Sequence, residues 1–155
     1  MSQINVDTIN EKTTGNGVNI PGHVVQIVEG TYSTQISTTS TSFVTGQLSA
    51  SITPSNASNK ILISTSLSGY APNAVFLYAT IYRGATNLGS GTENTVISYY
   101  AGGNTWFHSP MMYLDAPSTT SSTTYTVYYK ASSGTVHLHS SKMGGSKIYL
   151  MEIAQ

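Results

Sequence analysis

The chain has 155 residues, no cysteine, and six Lys/Arg against six Asp/Glu, so its formal charge is zero. That length suits one domain plus a short extension and buries enough surface to fold without a disulfide or a metal. The absent cysteines exclude a disulfide framework and cysteine zinc sites, and the balanced charge removes the field that would draw nucleic acid or an anionic membrane.

Residues 1–22 read as an extended N-terminal segment. Ile4, Val6 and Ile9, then Val18 and Ile20, are sparse apolar points broken by Asp7-Thr8, by residues 10–14 and by the turn signal Gly15-Asn16-Gly17. Five apolar residues in two short runs build no core of their own. Such a segment either frays or docks on another surface, often another copy of itself. Spaced Ile and Val favour docking, as an anchor to a partner or a contact between copies.

From residue 23 the apolar period is two, which assigns residues 23–155 to a single β-domain. His23 to Glu29 is a β-branched run. Leu48, Ala50 and Ile52 alternate with Gln47, Ser49 and Ser51. After the polar turn of residues 53–59, Ile61, Ile63, Thr65 and Leu67 alternate with Ser64, Ser66 and Ser68. These are half-buried strands whose outer face is made of hydroxyls. Serine and threonine supply 45 of the 155 residues while charged ones supply 8%, so hydroxyls do the solvating. Val75 to Tyr82 is apolar or aromatic on both faces and belongs centrally in a sheet or at a subunit interface. Weaker strands follow at Thr95 to Tyr99 and Trp106 to Leu114. Tyr125 to Lys130 and Thr135 to His139 flank Ala131-Ser132-Ser133-Gly134, which reads as a hairpin turn. Gly144 to Lys147 reads as a second hairpin turn, leading into the last strand, Lys147 to Ile153. Eight to ten strands with turns every 8–12 residues predict an all-β, antiparallel β-sandwich of jelly-roll type. No stretch carries a helical stripe.

Catalytic chemistry is not legible. The carboxylates Asp7, Glu11, Glu29, Glu93, Asp115 and Glu152 form no recognisable pair. No G-x-S-x-G elbow and no phosphate-binding glycine loop occur. Asn56-Ala57-Ser58 matches a glycosylation sequon but carries weight only in a eukaryotic secretory route. An enzyme, a cofactor and membrane insertion are therefore not expected. His137 and His139, two apart on a strand, should project from one face opposite Val136 and Leu138. They are two ligands where a metal wants four or six, and the plain alternative is the polar outer face of an edge hairpin.

Eleven tyrosines, one tryptophan and three phenylalanines among so few charges give a paratope-like mixture. A tyrosine ring stacks on sugar faces while its hydroxyl bonds to them. The loops around Tyr70 and Asn73, and around Tyr99, Tyr100, Asn104 and Trp106, are the candidate ligand contacts. Against this stands the reading that most tyrosines line the core or an interface, Tyr78, Tyr82 and Tyr149 above all.

Several segments together resemble the small β-structured domains of tailed-phage fibres and related virion proteins, especially from phages of marine bacteria. The strongest is Phe43 to Ile63, a strand ending in Ile-Thr-Pro, a Ser/Asn-rich turn, then Lys-Ile-Leu and a strand. Ile81-Tyr82-Arg83-Gly84, Leu114-Asp115-Ala116-Pro117, Tyr125-Thr126-Val127 and Leu150-Met151-Glu152-Ile153-Ala154 also fit, and residues 4–22 look like the lead-in that such fibres place before a head domain. The resemblance covers most of the chain and carries no binding residue across. It implies a homotrimer with a jelly-roll-like head, joined through the N-terminal segment to other virion proteins. In that class, H-x-H motifs on a threefold axis hold iron, a precedent for His137 and His139. The start of the chain lacks the basic and apolar runs of a signal peptide, which accords with release by lysis inside a virion.

Three functions are consistent with these residues. One is a short fibre or knob whose head contacts a host-surface glycan or protein. The second is a capsid decoration protein that binds no receptor. The third is a secreted carbohydrate-binding module, which predicts a monomer and an export signal.

Overall fold

The computed structural model describes residues 20–72, 74–89, 95–98, 103 and 105–155. Within these residues the regular structure is eleven strands and a single 3-10 turn, Ser141–Met143. The strands are β1 (Val24–Tyr32), β2 (Ile36–Thr38), β3 (Val44–Ile52), β4 (Lys60–Ala71), β5 (Leu77–Arg83), β6 (Thr86–Asn87), β7 (Thr95–Ser98), β8 (Thr105–Asp115), β9 (Thr123–Ala131), β10 (Val136–Leu138) and β11 (Ser146–Ile153).

They form two antiparallel sheets. In sheet I, β4 pairs with β8 on one side, while β11 and then β10 share its other side. Beyond these lie β1 on β11 and β2 on β10. In sheet II the order is β3, β9, β5, with β6 and β7 sharing the far side of β5. Strands that share a side act as one interrupted strand, so each sheet is four strands wide. The chain passes between sheets at nearly every connection, which is the jelly-roll arrangement.

The alternation foreseen from the sequence builds the core. Leu48, Ala50 and Ile52 of β3 and Tyr125, Val127 and Tyr129 of β9 face Ile61, Ile63 and Leu67 of β4 and Ile148 and Leu150 of β11. Each fully buried aliphatic side chain contributes about 1.5–3 kcal/mol. The run that is apolar on both faces lies centrally, as β5 between β9 and the β6/β7 pair. Leu77, Ala79 and Ile81 enter the core, while Tyr78 and Thr80 are buried on the opposite face.

Two turns differ from expectation. Residues 131–134 form no hairpin, because β9 belongs to sheet II and β10 to sheet I. Their hydrogen bonds go to distant chain: Ala131 N–H donates to Ser40 O, and Ser132 N–H to Phe76 O. Gly144 to Lys147 is not a hairpin either, since β10 and β11 run in the same direction along the same side of β4. β4 takes four steps from Tyr70 to Ser66, whereas the chain facing it takes ten from His137 to Lys147. The surplus bulges outward as the 3-10 turn.

At one end of the sandwich, polar fasteners join the segments that carried the family resemblance. The Arg83 guanidinium contacts both carboxylate oxygens of Asp115, at 2.8 and 2.9 Å, and Tyr125 Oη–H donates to the same carboxylate at 2.7 Å. Burial, followed by that hydrogen bond, pushes the Tyr125 phenol far above its ordinary range. Glu152, fully buried, accepts from Ser55 N–H, Ser55 Oγ–H, Asn59 Nδ2–H and Gln26 Nε2–H. Burial opposes its charge, but the hydrogen bonds outweigh that penalty and hold the carboxyl below its usual range. The Ser/Asn-rich turn is thus pinned by the last strand.

Candidate functional site: an aromatic row on the outer face

Even-numbered residues of β4 and β8 point away from the core at the opposite end of sheet I. The register places His137 of β10 opposite Tyr70 of β4, and Tyr70 opposite Trp106 of β8. Directly opposed residues have Cβ atoms about 4.5–5.5 Å apart, so the three rings meet. Tyr70 and His137 are stacked, with centroids 4.1 Å apart and planes 9° apart. Tyr70 and Trp106 tilt against each other at 4.7 Å. Close approach of β10 needs Gly69, where a Cβ would collide with His137 O.

Trp106 is 43% exposed, and Tyr70 and His137 are half-buried, so one edge of the row is rigid and the other is open to solvent. Lys142, from the 3-10 turn, sets its Nζ 5.4 Å from the Trp106 ring. The turn is held by His108, whose Nε2–H donates to Met143 O at 3.0 Å, leaving Nδ1 to accept from Ser66 Oγ–H at 3.3 Å. Burial lowers the pKa of His137, so the ring in the stack is neutral at pH 7. Its Nδ1 has no hydrogen-bond partner among the described residues.

His139 does not share a face with His137, contrary to the expectation for two histidines two apart. β10 ends at Leu138, and His139 takes a left-handed backbone with φ of 59° that breaks the alternation. Its ring turns inward, fully buried, donates from Nε2 to Gly46 O of β3 and meets Tyr32 edge-on. β10 is not an edge strand either, since β2 lies outside it. With one ring in the outer stack and the other under the sheet, the pair does not present two ligands to one metal. Among the described residues no three His, Asp or Glu side chains cluster as a metal would require.

Of the residues proposed from sequence as ligand contacts, Tyr70 and Trp106 come together. Both stand on strands rather than in loops. Asn73, Tyr99, Tyr100 and Asn104 lie outside the described residues, as do Ile4, Val6, Ile9 and Val18. Ile20 is 54% exposed. Sequence reasoning missed Lys142, and it singled out His137 as a partner of His139 rather than as a ring of this row. The pairing that brings both to Trp106 depends on the outward bulge between β10 and β11, which no local motif announces. The arrangement offers the exposed tryptophan ring, one neutral imidazole and one ammonium, a set suited to noncovalent stacking and hydrogen bonding.

No protein-family model matches the chain, and no curated protein matches it in sequence. Among solved structures it is similar to a chain in the structure of infectious bursal disease virus, Gt strain, with a TM-score of 0.52 and 14% identity. That match covers 97% of this chain and 38% of the viral one. A structure of T=1 particles derived from infectious bursal virus matches with a TM-score of 0.44 and 13% identity, over 98% of this chain and 41% of that one. The chain therefore spans less than half the length of either. The first likeness is one of fold, a β-sandwich.

Proposed function

We propose that this chain is a non-catalytic structural protein of a phage-type virion, a short fibre or knob, whose aromatic row contacts a glycan on the host surface. The observation that carries this reading is the row His137–Tyr70–Trp106, ordered by backbone pairing and open to solvent at its tryptophan. The exposed Trp106 ring stacks on the C–H face of a sugar, and the Tyr70 hydroxyl and Lys142 ammonium supply hydrogen bonds at the rim. Each such contact is weak, so binding strength comes from copies held together, as in the homotrimer that the fibre resemblance implies. The jelly-roll sandwich and its fold likeness to a virus-particle chain support the virion setting.

The test is an array of bacterial surface polysaccharides probed with the chain displayed multivalently. Binding to a defined glycan, lost in Trp106→Ala, is the expected result. Absence of binding to every glycan and to host cells favours the decoration-protein alternative, to be checked by locating labelled subunits at capsid symmetry axes.

A further inference from the structure

His139 stands at the junction between the aromatic row and the interior. It follows β10 directly, its N–H donates to Ser68 O of β4 at 2.7 Å, and its ring passes under the sheet to Gly46 of β3. β10 is three residues long and meets β4 at two positions, His137 opposite Tyr70 and Leu138 opposite Gly69. So short a strand depends on what is anchored at its end. Beyond His139 lies the 3-10 turn, whose backbone closes on one carbonyl: Met143 N–H and Gly145 N–H both donate to Ser140 O, at 3.0 and 3.2 Å. His137 of the row thus sits just before the anchor, and Lys142 just after it. Tyr70 and Trp106 belong instead to the long β4–β8 pair, in register from Ile61 to Ala71. The row rests on two supports, one long strand pair and one short strand held by an imidazole.

That imidazole has no means of carrying a charge where it lies. Its Nε2–H donates to Gly46 O, which leaves Nδ1 an acceptor, buried and without a partner among the described residues. Ser140 Oγ, next in the chain, is buried and unpartnered too. A proton arriving at Nδ1 adds a charge and a second donor with nothing to accept it, and a buried unpaired charge costs far more than a neutral polar atom. The surroundings supply no counter-charge. From β1 the ring meets Tyr32 edge-on, and from β3 it meets the Gly46 carbonyl. Tyr129, inward from β9, is a phenol that burial pushes up to about 12. The three carboxylates among the described residues are engaged elsewhere: Glu29 with Lys147, Asp115 with Arg83 and Tyr125, Glu152 with Ser55, Asn59 and Gln26. His137, on the same strand, stacks on Tyr70, and Lys142 lies over Trp106. Burial lowers the His139 pKa below 6.5 against the opposing bond to Gly46, so the closed form is intact above that value and weakens as pH falls through it.

We propose that His139 is an acid switch for the aromatic row: protonation at Nδ1 expels its ring from under sheet I, frees β10 and the 3-10 turn, and withdraws His137 and Lys142 from Tyr70 and Trp106. Release of a bound glycan in acid rests further on the reading of the row as a glycan site; the switch itself does not. Trp106 emission of the full chain, read without ligand from about pH 7.5 to about pH 5, is the test. The expected result is a sigmoidal change with its midpoint below 6.5 while far-UV circular dichroism stays nearly constant. The change persists in His108→Gln and His137→Phe, which remove the other imidazoles near the row. It is absent from His139→Gln, whose amide can still donate to Gly46 O but takes up no proton. Should His139→Gln fail to fold, imidazole resonances of the unaltered chain replace it, and that of His139 shares its midpoint with the emission. Constant emission, a change that survives in His139→Gln or vanishes in either other variant, or a His139 resonance with a different midpoint overturns the proposal. Collapse of the dichroism at the same midpoint also overturns it, since the whole domain then unfolds. For a glycan found on the array, affinity falls about tenfold for each pH unit below the transition. Equal affinity on both sides overturns the coupling. An intact emission change with no glycan bound at the upper pH removes the binding reading and leaves the switch standing.

Discussion

The two ends of the sandwich treat buried polar groups in opposite ways. At the end formed by Lys60, Arg83, Asp115 and Ile153, the carboxylates of Glu152 and Asp115 are surrounded by donors. At the other end, three buried atoms within four residues have no hydrogen-bond partner among the described residues: His137 Nδ1, His139 Nδ1 and Ser140 Oγ. One of these residues, His139, also holds a left-handed backbone. Buried polar atoms without partners cost about 1–3 kcal/mol each, and backbone strain adds to that. The difference teaches that the first end is arranged for stability, while the second gives up stability to hold an aromatic row at the surface.

The largest expected effect comes from breaking the stitched end. Glu152→Ala strands the donors of Ser55, Asn59 and Gln26, and it should cost about 3 kcal/mol in urea unfolding. An effect under about 1 kcal/mol would show that the carboxylate is not the fastener.

Acid should separate the two ends. A histidine whose folded pKa is lowered below the ordinary 6.5 contributes stability that is intact above that value and declines as pH falls through it toward the folded pKa. Burial is the leading cause for His139, with its bond to Gly46 opposing. Glu152, held below the ordinary 4.5, contributes stability that is intact above 4.5 and declines only as pH drops toward its own lower value. Hydrogen exchange along a pH series should therefore show β10 losing protection in the window below pH 6.5, before β11 loses it in the window below 4.5. Simultaneous loss in both strands would erase the distinction. Smaller again is Tyr125→Phe, which removes one charge-assisted hydrogen bond to Asp115 and should cost about 1.5 kcal/mol by the same unfolding assay. Smallest is Ser51→Ala on the outer face of sheet II. Its hydroxyl meets Thr124 Oγ1 at 2.7 Å in an exposed pair, and stability should change by less than about 0.5 kcal/mol.

Both ends were partly legible in the sequence: at the aromatic end Tyr70, Trp106 and His137 were each singled out, but not their meeting in one row. Strict alternation in β3 and β4 identified inward residues, because a period of two has one reading once one face is buried. The segments around Arg83, Asp115, Tyr125, the Ser/Asn-rich turn and Glu152 were each singled out as recurring patterns, yet what joins them is long-range. Arg83 reaches Asp115, 32 positions away, and Ser55 reaches Glu152, 97 away. Ser132-Ser133-Gly134 is compatible both with a hairpin and with a passage between sheets. Distant acceptors at Ser40 and Phe76 decide between them. The same holds for His137: only the register with Tyr70 shows that its ring belongs to a stack.

Trp106 is the one tryptophan of the chain and stands in the row proposed to bind. Its emission therefore reports on that row directly. Titrating the full chain with a bacterial surface glycan bound on the array should give a saturable change in Trp106 emission, with the same midpoint as binding measured by calorimetry. A glycan that binds while Trp106 emission stays constant, or that binds Trp106→Ala equally well, would contradict the assignment of the aromatic row as the receptor surface.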